Sequence, residues 1–219
     1  MELYVDTANI EQIRHCAALG FVSGVTTNPS LLAQEDPTID VKQLLLDIHK
    51  TIGGHISIEV ISTKKEGIIK EASEILEWCP EATIKIPMIA EGLAACSELA
   101  KREIPTNVTL VFSPSQAIAA ANAGATYVSV FLGRLDDIGV SSREVLEQIC
   151  EIWDVQQYDS LIIAASIRHP MHIIDSAAAG AHIATIPYKV LLQSLEHPLT
   201  TSGLDRFLAD NAKRLAAKK

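Results

Sequence analysis

The feature that most constrains this chain is a repeat of form rather than of sequence: a short apolar run followed by a stretch with helical spacing, eight times over. The runs at 3–6, 24–27, 56–60, 83–87, 107–111, 127–132, 161–166 and 182–187 have the length and composition of strands. Between and after them, 10–19, 41–52, 64–78, 91–102, 114–122, 142–153, 169–179 and 190–195 place apolar residues at helical intervals. Gly20 and Gly53-Gly54 stop the first two of these helices. Strands that alternate with helices pair in parallel, so eight units predict a closed (β/α)8 TIM barrel, with a doubly wound open sheet as the alternative. A further helix, about 204–217, has no strand to serve and is expected to cap the barrel or dock on a neighbouring subunit. With no linker or low-complexity block, residues 1–219 are expected to form one barrel domain.

Side-chain parity favours closure. Ser57 and Glu59 alternate with Ile58 and Val60, Asn107 and Thr109 with Val108 and Leu110, and Ser129 with Val128 and Val130. A sheet covered on both faces has no place for so many polar residues, whereas a barrel gathers them at its C-terminal mouth. The same alternation turns Lys85, in Thr83-Ile84-Lys85-Ile86-Pro87, away from its two isoleucines and into the barrel. A buried ammonium loses several kcal/mol of solvation unless paired or deprotonated. The alternatives are a solvated lysine on an edge strand, or an ion pair with Glu59 or Asp6 kept only for structural specificity. With Asp6, Asn28, Glu59, Asn107, Thr109, Ser129 and Ser166 converging on it, Lys85 is better read as an amine for imine chemistry, which also requires carboxylates to move protons.

Two arginines, Arg134 and Arg168, fall just past strand ends, where barrel loops present binding groups, and together suggest a phosphate clamp rather than surface ion pairs with Asp136 or Asp137. His169 and His172 could share a helix face but lack a third ligand, so they read as solvated or capping side chains and no metal is expected. Neither nucleotide-binding glycine fingerprint occurs, and no cofactor is expected. The net charge of −9 argues against a nucleic-acid partner. No apolar run reaches the ~20 residues of a membrane span and no signal segment opens the chain, so a cytoplasmic protein away from membranes is expected. Cys16, Cys79, Cys96 and Cys150 are scattered without a C-x-x-C pair and read as reduced packing residues.

The ordered motifs Val5-Asp6-Thr7-Ala8-Asn9, Gly24-Val25-Thr26-Thr27-Asn28-Pro29-Ser30, Lys85-Ile86-Pro87-Met88, Asn107-Val108-Thr109-Leu110-Val111-Phe112, Gly133-Arg134-Leu135-Asp136-Asp137, Ser166-Ile167-Arg168-His169-Pro170 and His197-Pro198-Leu199-Thr200 resemble the small single-domain transaldolases over essentially the whole chain. The resemblance implies that Lys85 forms a Schiff base with the ketone of a sugar phosphate and Asp6 takes the C4 hydroxyl proton. It implies further that Glu59 and Thr109 hold a proton-relaying water, that Asn28, Asn107 and Ser129 bind substrate hydroxyls, and that Arg134, Ser166 and Arg168 bind the phosphate. Transfer of a dihydroxyacetone unit without metal or cofactor would follow, in a homo-oligomer of pentameric or decameric form with exchanged C-terminal helices. The related fructose 6-phosphate aldolases release dihydroxyacetone to water instead, and carry glutamine and tyrosine at the positions of Glu59 and Phe131; a non-catalytic barrel is the remaining alternative. Ile89, Val130 and Tyr188 depart from the residues usual in the family.

Overall fold

A computed structural model describes residues 1–217, so residues 218 and 219 of the expected 1–219 domain lie outside the described residues. Eight strands occur in the order expected: β1 (Glu2–Asp6), β2 (Gly24–Thr26), β3 (His55–Glu59), β4 (Thr83–Pro87), β5 (Thr106–Val111), β6 (Tyr127–Phe131), β7 (Leu161–Ala165) and β8 (Ile183–Pro187). Each pairs in parallel with its sequence neighbour, and β8 returns to β1 with Tyr4 opposite Thr185 and Asp6 opposite Pro187. The sheet is a closed TIM barrel, which leaves no edge strand for a solvated lysine.

The helices are α1 (Ile10–Leu19), α2 (Pro29–Leu32), α3 (Val41–Ile52), α4 (Lys65–Trp78), α5 (Ala90–Ala100), α6 (Pro114–Asn122), α7 (Leu132–Asp137), α8 (Ser142–Gln156), α9 (Pro170–Ala179), α10 (Tyr188–Leu195) and α11 (Pro198–Ala216). Local chemistry sets their ends. Asn9 accepts from the Gln12 amide to open α1, Asp40 accepts from the Lys42 and Gln43 amides to open α3, and Ser113 accepts from the Gln116 amide ahead of Pro114 to open α6. Gly53 closes α3 in the left-handed region at φ 63°. Two short helices were not expected: α2 follows the β2 tip, and α7 starts at Leu132, which sequence patterning had given to β6. The C-terminal helix begins at Pro198, not near 204, because Pro198 takes the first helical position and His197 caps it by accepting from the Leu199 amide.

Outward-facing strand residues such as Val5, Val25, Ile56, Ile84, Ile86, Val108, Val128 and Ile162 join helix residues such as Ile13, Ile48, Ile68, Leu99, Leu146 and Trp153 in one core between barrel and helices. All four cysteines are free and buried. Inside the barrel, every second residue faces inward, and the character changes upward along the axis. Tyr4, Tyr127, Ile163 and Ile183 close the base, and Gly24 must lack a side chain because a Cβ there would meet the Tyr4 ring at 2.8 Å. Thr26, Ser57, Asn107, Ser129 and Thr185 fill the middle, all buried. Asp6, Glu59 and Lys85 stand above them.

Candidate active site

The mouth holds a cavity of about 630 Å³ whose lining includes Asp6, Asn28, Glu59, Lys85, Ser129, Phe131, Arg134, Ser166 and Arg168. Strand register creates its deepest part. Glu59 of β3 lies opposite Lys85 of β4, and Lys85 Nζ sits 3.0 Å from Glu59 Oε2 while donating to the Thr27 carbonyl at 3.0 Å. Lys85 is only 4% exposed, and its flanking Ile84 and Ile86 are sealed in the outer core, so the chain cannot turn the amine to solvent without unpacking β4. Thr26 Oγ1 donates to Asp6 Oδ1 at 2.8 Å and lies 2.5 Å from Thr185 Oγ1. Since Thr26 has one proton and Asp6 takes it, Thr185 is the donor of the second bond. Burial raises the Asp6 pKa above its ordinary 3.8; the Lys85 charge and the Thr26 bond pull it back, and the Glu59 charge adds to the rise. A carboxyl so placed can take and return a proton more readily than an exposed one.

The opposite side of the mouth is built from α7 and the loop that follows β7. Ser166 adopts a left-handed φ of 55°, and its carbonyl accepts from the Gly133 amide at 2.9 Å. A Cβ on residue 133 would lie 2.5 Å from both that carbonyl oxygen and Arg168 Cγ, so only glycine lets the Arg168 side chain cross here. Arg168 donates to Asp137 Oδ2 at 2.8 Å, and the Arg134 guanidinium lies 5.3 Å from the centre of the Phe131 ring, which meets Phe112 edge-on at 5.7 Å. His172 holds the loop: Nδ1 accepts from the Arg168 amide at 3.2 Å and Nε2 lies 2.7 Å from Asp136 Oδ2. Nε2 therefore carries the proton. Burial lowers the His172 pKa by more than Asp136 raises it. At Asp136 burial works to raise the pKa, but bonds from the Ser142 amide and hydroxyl and from His172 prevail and lower it.

Residues 3–219 match the family model described as Transaldolase/Fructose-6-phosphate aldolase. The chain belongs to this family. It is accordingly an enzyme of the transaldolase type. A protein named probable transaldolase from Alkaliphilus metalliredigens (strain QYMF) is 53% identical over 210 residues, 96% of this chain and 97% of its own length. Another of the same name from Clostridium botulinum (strain Loch Maree / Type A3) is 50% identical over 219 residues, all of both chains. A solved structure of thiamine phosphate pyrophosphorylase from Pyrococcus furiosus superposes with a TM-score of 0.60 at 16% identity, covering 84% of this chain and 85% of that one, a likeness of fold alone.

Of the ten side chains that the resemblance places in the site, eight line one cavity together with Phe131, and two, Asn107 and Thr109, are not among its lining. Asn107 is fully buried, its amide nitrogen donating to Ser57 Oγ and its oxygen accepting from Ser129 Oγ. Thr109 is also fully buried, and its Oγ1 meets no hydrogen-bond partner among the described residues. The parity expected for β5 fails at this point. The β5–β6 register shifts between Val108 and Val111 and Leu110 takes a φ of 63°, so an added residue turns Leu110 into the mouth instead of onto the helices. His172, expected to be solvated or capping, is a buried link between Asp136 and the Arg168 loop. Sequence reading also passed over Thr26, at the end of β2, and Thr185, two residues before the end of β8, although alternation marks both as inward.

Proposed function

We propose that this chain transfers a dihydroxyacetone unit from a ketose phosphate, sedoheptulose 7-phosphate or fructose 6-phosphate, to an aldose phosphate through an imine on Lys85. The observation that carries the reading is the buried Lys85 amine held 3.0 Å from Glu59 in a mouth that also contains Asp6 with a raised pKa. The Lys85 nitrogen adds to the C2 carbonyl once its proton has passed toward Glu59, and loss of water gives the imine. Asp6 takes the C4 hydroxyl proton, the C3–C4 bond breaks, and its electrons enter the protonated imine to give an enamine as the aldose phosphate leaves. Addition of the enamine to a second aldehyde and hydrolysis of the new imine complete the transfer. The buried Thr109 hydroxyl, without a protein partner among the described residues, suits a water shared with Glu59 for the proton movements. Asn28, Asn107 and Ser129 serve the substrate hydroxyls, and Arg134, Ser166 and Arg168 the phosphate.

Such chemistry belongs to the non-oxidative pentose phosphate pathway of the cytoplasm. No helix among the described residues is long and apolar enough to cross a membrane. α11 buries none of its residues and exposes Leu199, Leu204, Phe207, Leu208 and Leu215, which supports a homo-oligomer, pentamer or decamer, in which copies cover these helices.

Borohydride reduction after addition of fructose 6-phosphate should leave a dihydroxyacetone adduct that peptide mass mapping finds on Lys85. An adduct on Lys64, Lys65 or Lys189, or none, would refute the assignment and favour a non-catalytic barrel.

A further inference from the structure

Below the charged mouth a line of hydrogen bonds, part-buried at His55 and buried beyond it, crosses the barrel from its closed end. His55 Nε2 lies 2.7 Å from Ser57 Oγ, Asn107 Nδ2 donates to that Oγ at 3.0 Å, and Ser129 Oγ donates to Asn107 Oδ1 at 2.7 Å. Ser57 has no solvent exposure, so its hydroxyl proton needs a protein acceptor. Ser57 already accepts from Asn107 and has a single proton to give. If His55 Nε2 also carried a proton, Ser57 would face two donors and its own proton would be buried without an acceptor, which is costly. Nε2 is thus the acceptor and the ring proton sits on Nδ1. Stacking on Tyr4 at 4.9 Å and edge contact with Tyr127 at 4.7 Å hold the ring in place. Burial keeps its pKa down at about 4, in line with a neutral ring.

The same proton count runs to the other end. Ser129 spends its proton on Asn107, so the oxygen it presents to the cavity can only accept. Reversing the His55 tautomer would send each proton the other way, turn the Asn107 amide over and make Ser129 a donor. We propose that His55 is a positioning residue which, through Ser57 and Asn107, fixes Ser129 as an acceptor for a substrate hydroxyl at the far end of the barrel. The proposal rests on the sugar-phosphate reading above only for what that hydroxyl belongs to.

Three substitutions test it. His55→Phe keeps the aromatic packing and removes the acceptor, His55→Gln restores a side-chain oxygen, and Ser57→Ala cuts the line one step on. With the full-length protein we expect His55→Phe and Ser57→Ala each to raise KM for fructose 6-phosphate about tenfold while kcat stays within about threefold. The double variant should be no worse than either alone, and His55→Gln should recover most of the loss. Lower kcat and thermal stability with unchanged KM, or no recovery by glutamine, would overturn the proposal in favour of simple packing. The imidazole nitrogen NMR spectrum of unliganded protein decides the tautomer without any activity: an unprotonated His55 Nε2 upholds the proposal and a protonated one overturns it, even if borohydride trapping has shown Lys85 to be inert.

Discussion

Lys85 stands on a strand with its polar partners supplied by Glu59 of the neighbouring strand and the Thr27 carbonyl just past β2, whereas Arg168 stands on a loop, 52% exposed in its side chain, and bonds to Asp137 at the end of α7, which is 56% exposed. The two cations differ in what it takes to change their company. Removing one member of a buried pair such as Lys85–Glu59 strands a charge and costs about 3–5 kcal/mol. An exposed pair such as Arg168–Asp137 contributes about 0–1 kcal/mol, so an arriving phosphate can replace the aspartate at little cost. In the proposed reaction the strand side does chemistry that needs fixed distances, and the loop side does capture that needs exchangeable contacts.

The largest expected effect falls on the strand side. Asp6→Asn should lower turnover about 100- to 1,000-fold, the scale of a lost general base. Its effect on stability should have the opposite sign. Because burial raises the folded-state pKa of Asp6, its contribution to stability is present below the ordinary 3.8 and is lost as pH rises through the folded value. The asparagine variant is therefore expected to be more stable than the parent at pH 7, by about 1 kcal/mol, with the gap closing as pH falls toward 4. Chemical denaturation at several pH values measures this, and a destabilised variant at pH 7 would contradict the account of Asp6. On the loop side, Arg168→Ala should weaken fructose 6-phosphate about thirtyfold, or about 2 kcal/mol, and leave dihydroxyacetone nearly unaffected. Added salt should weaken binding of the phosphorylated substrate far more than imine formation with dihydroxyacetone. Equal losses for both compounds would mean that the loop side supports the fold rather than capturing phosphate.

The same division governs what could be read from sequence. Lys85, Glu59 and Asp6 were legible because strand alternation is strict and charges are rare in apolar runs, so three inward positions stand out without any structure. Alternation also carried the eightfold architecture. It failed at Leu110, because a single added residue reverses the face of everything after it and nothing in Asn107-Val108-Thr109-Leu110 marks where that residue goes. Loop contacts were legible only in part. Arg134 and Arg168 could be placed at strand ends, but the bond from the Arg168 amide to His172, and from there to Asp136, joins residues that share no periodicity. Nor does sequence patterning show that Asn107 spends both ends of its amide inside the barrel.

Phe131 is where the two sides meet, and it offers the finest test of the contrast. It ends β6, its ring meets Phe112 edge-on, and Arg134 of the loop side lies over it. In the proposed reaction, once the aldose phosphate leaves, the enamine on Lys85 would have two fates: capture by a second aldehyde, or protonation at carbon followed by hydrolysis and release of dihydroxyacetone. Protonation needs a donor near the enamine carbon. In the proposed reaction Glu59 and Thr109 would share a water, but Phe131 presents only carbon, so no phenol is there to help deliver the proton. Transfer should accordingly exceed release of free dihydroxyacetone whenever erythrose 4-phosphate or glyceraldehyde 3-phosphate is present. Phe131→Tyr should add the missing hydroxyl and raise release relative to transfer about tenfold, equivalent to about 1.4 kcal/mol of barrier. Arg134 should remain over the ring, so KM for phosphorylated substrates should change little. A coupled assay that follows dihydroxyacetone and the product ketose phosphate together measures both fates. If the tyrosine variant leaves their ratio unchanged, proton delivery at Phe131 does not separate the two reactions; if the parent already releases dihydroxyacetone as fast as it transfers it, the fructose 6-phosphate aldolase reading takes its place.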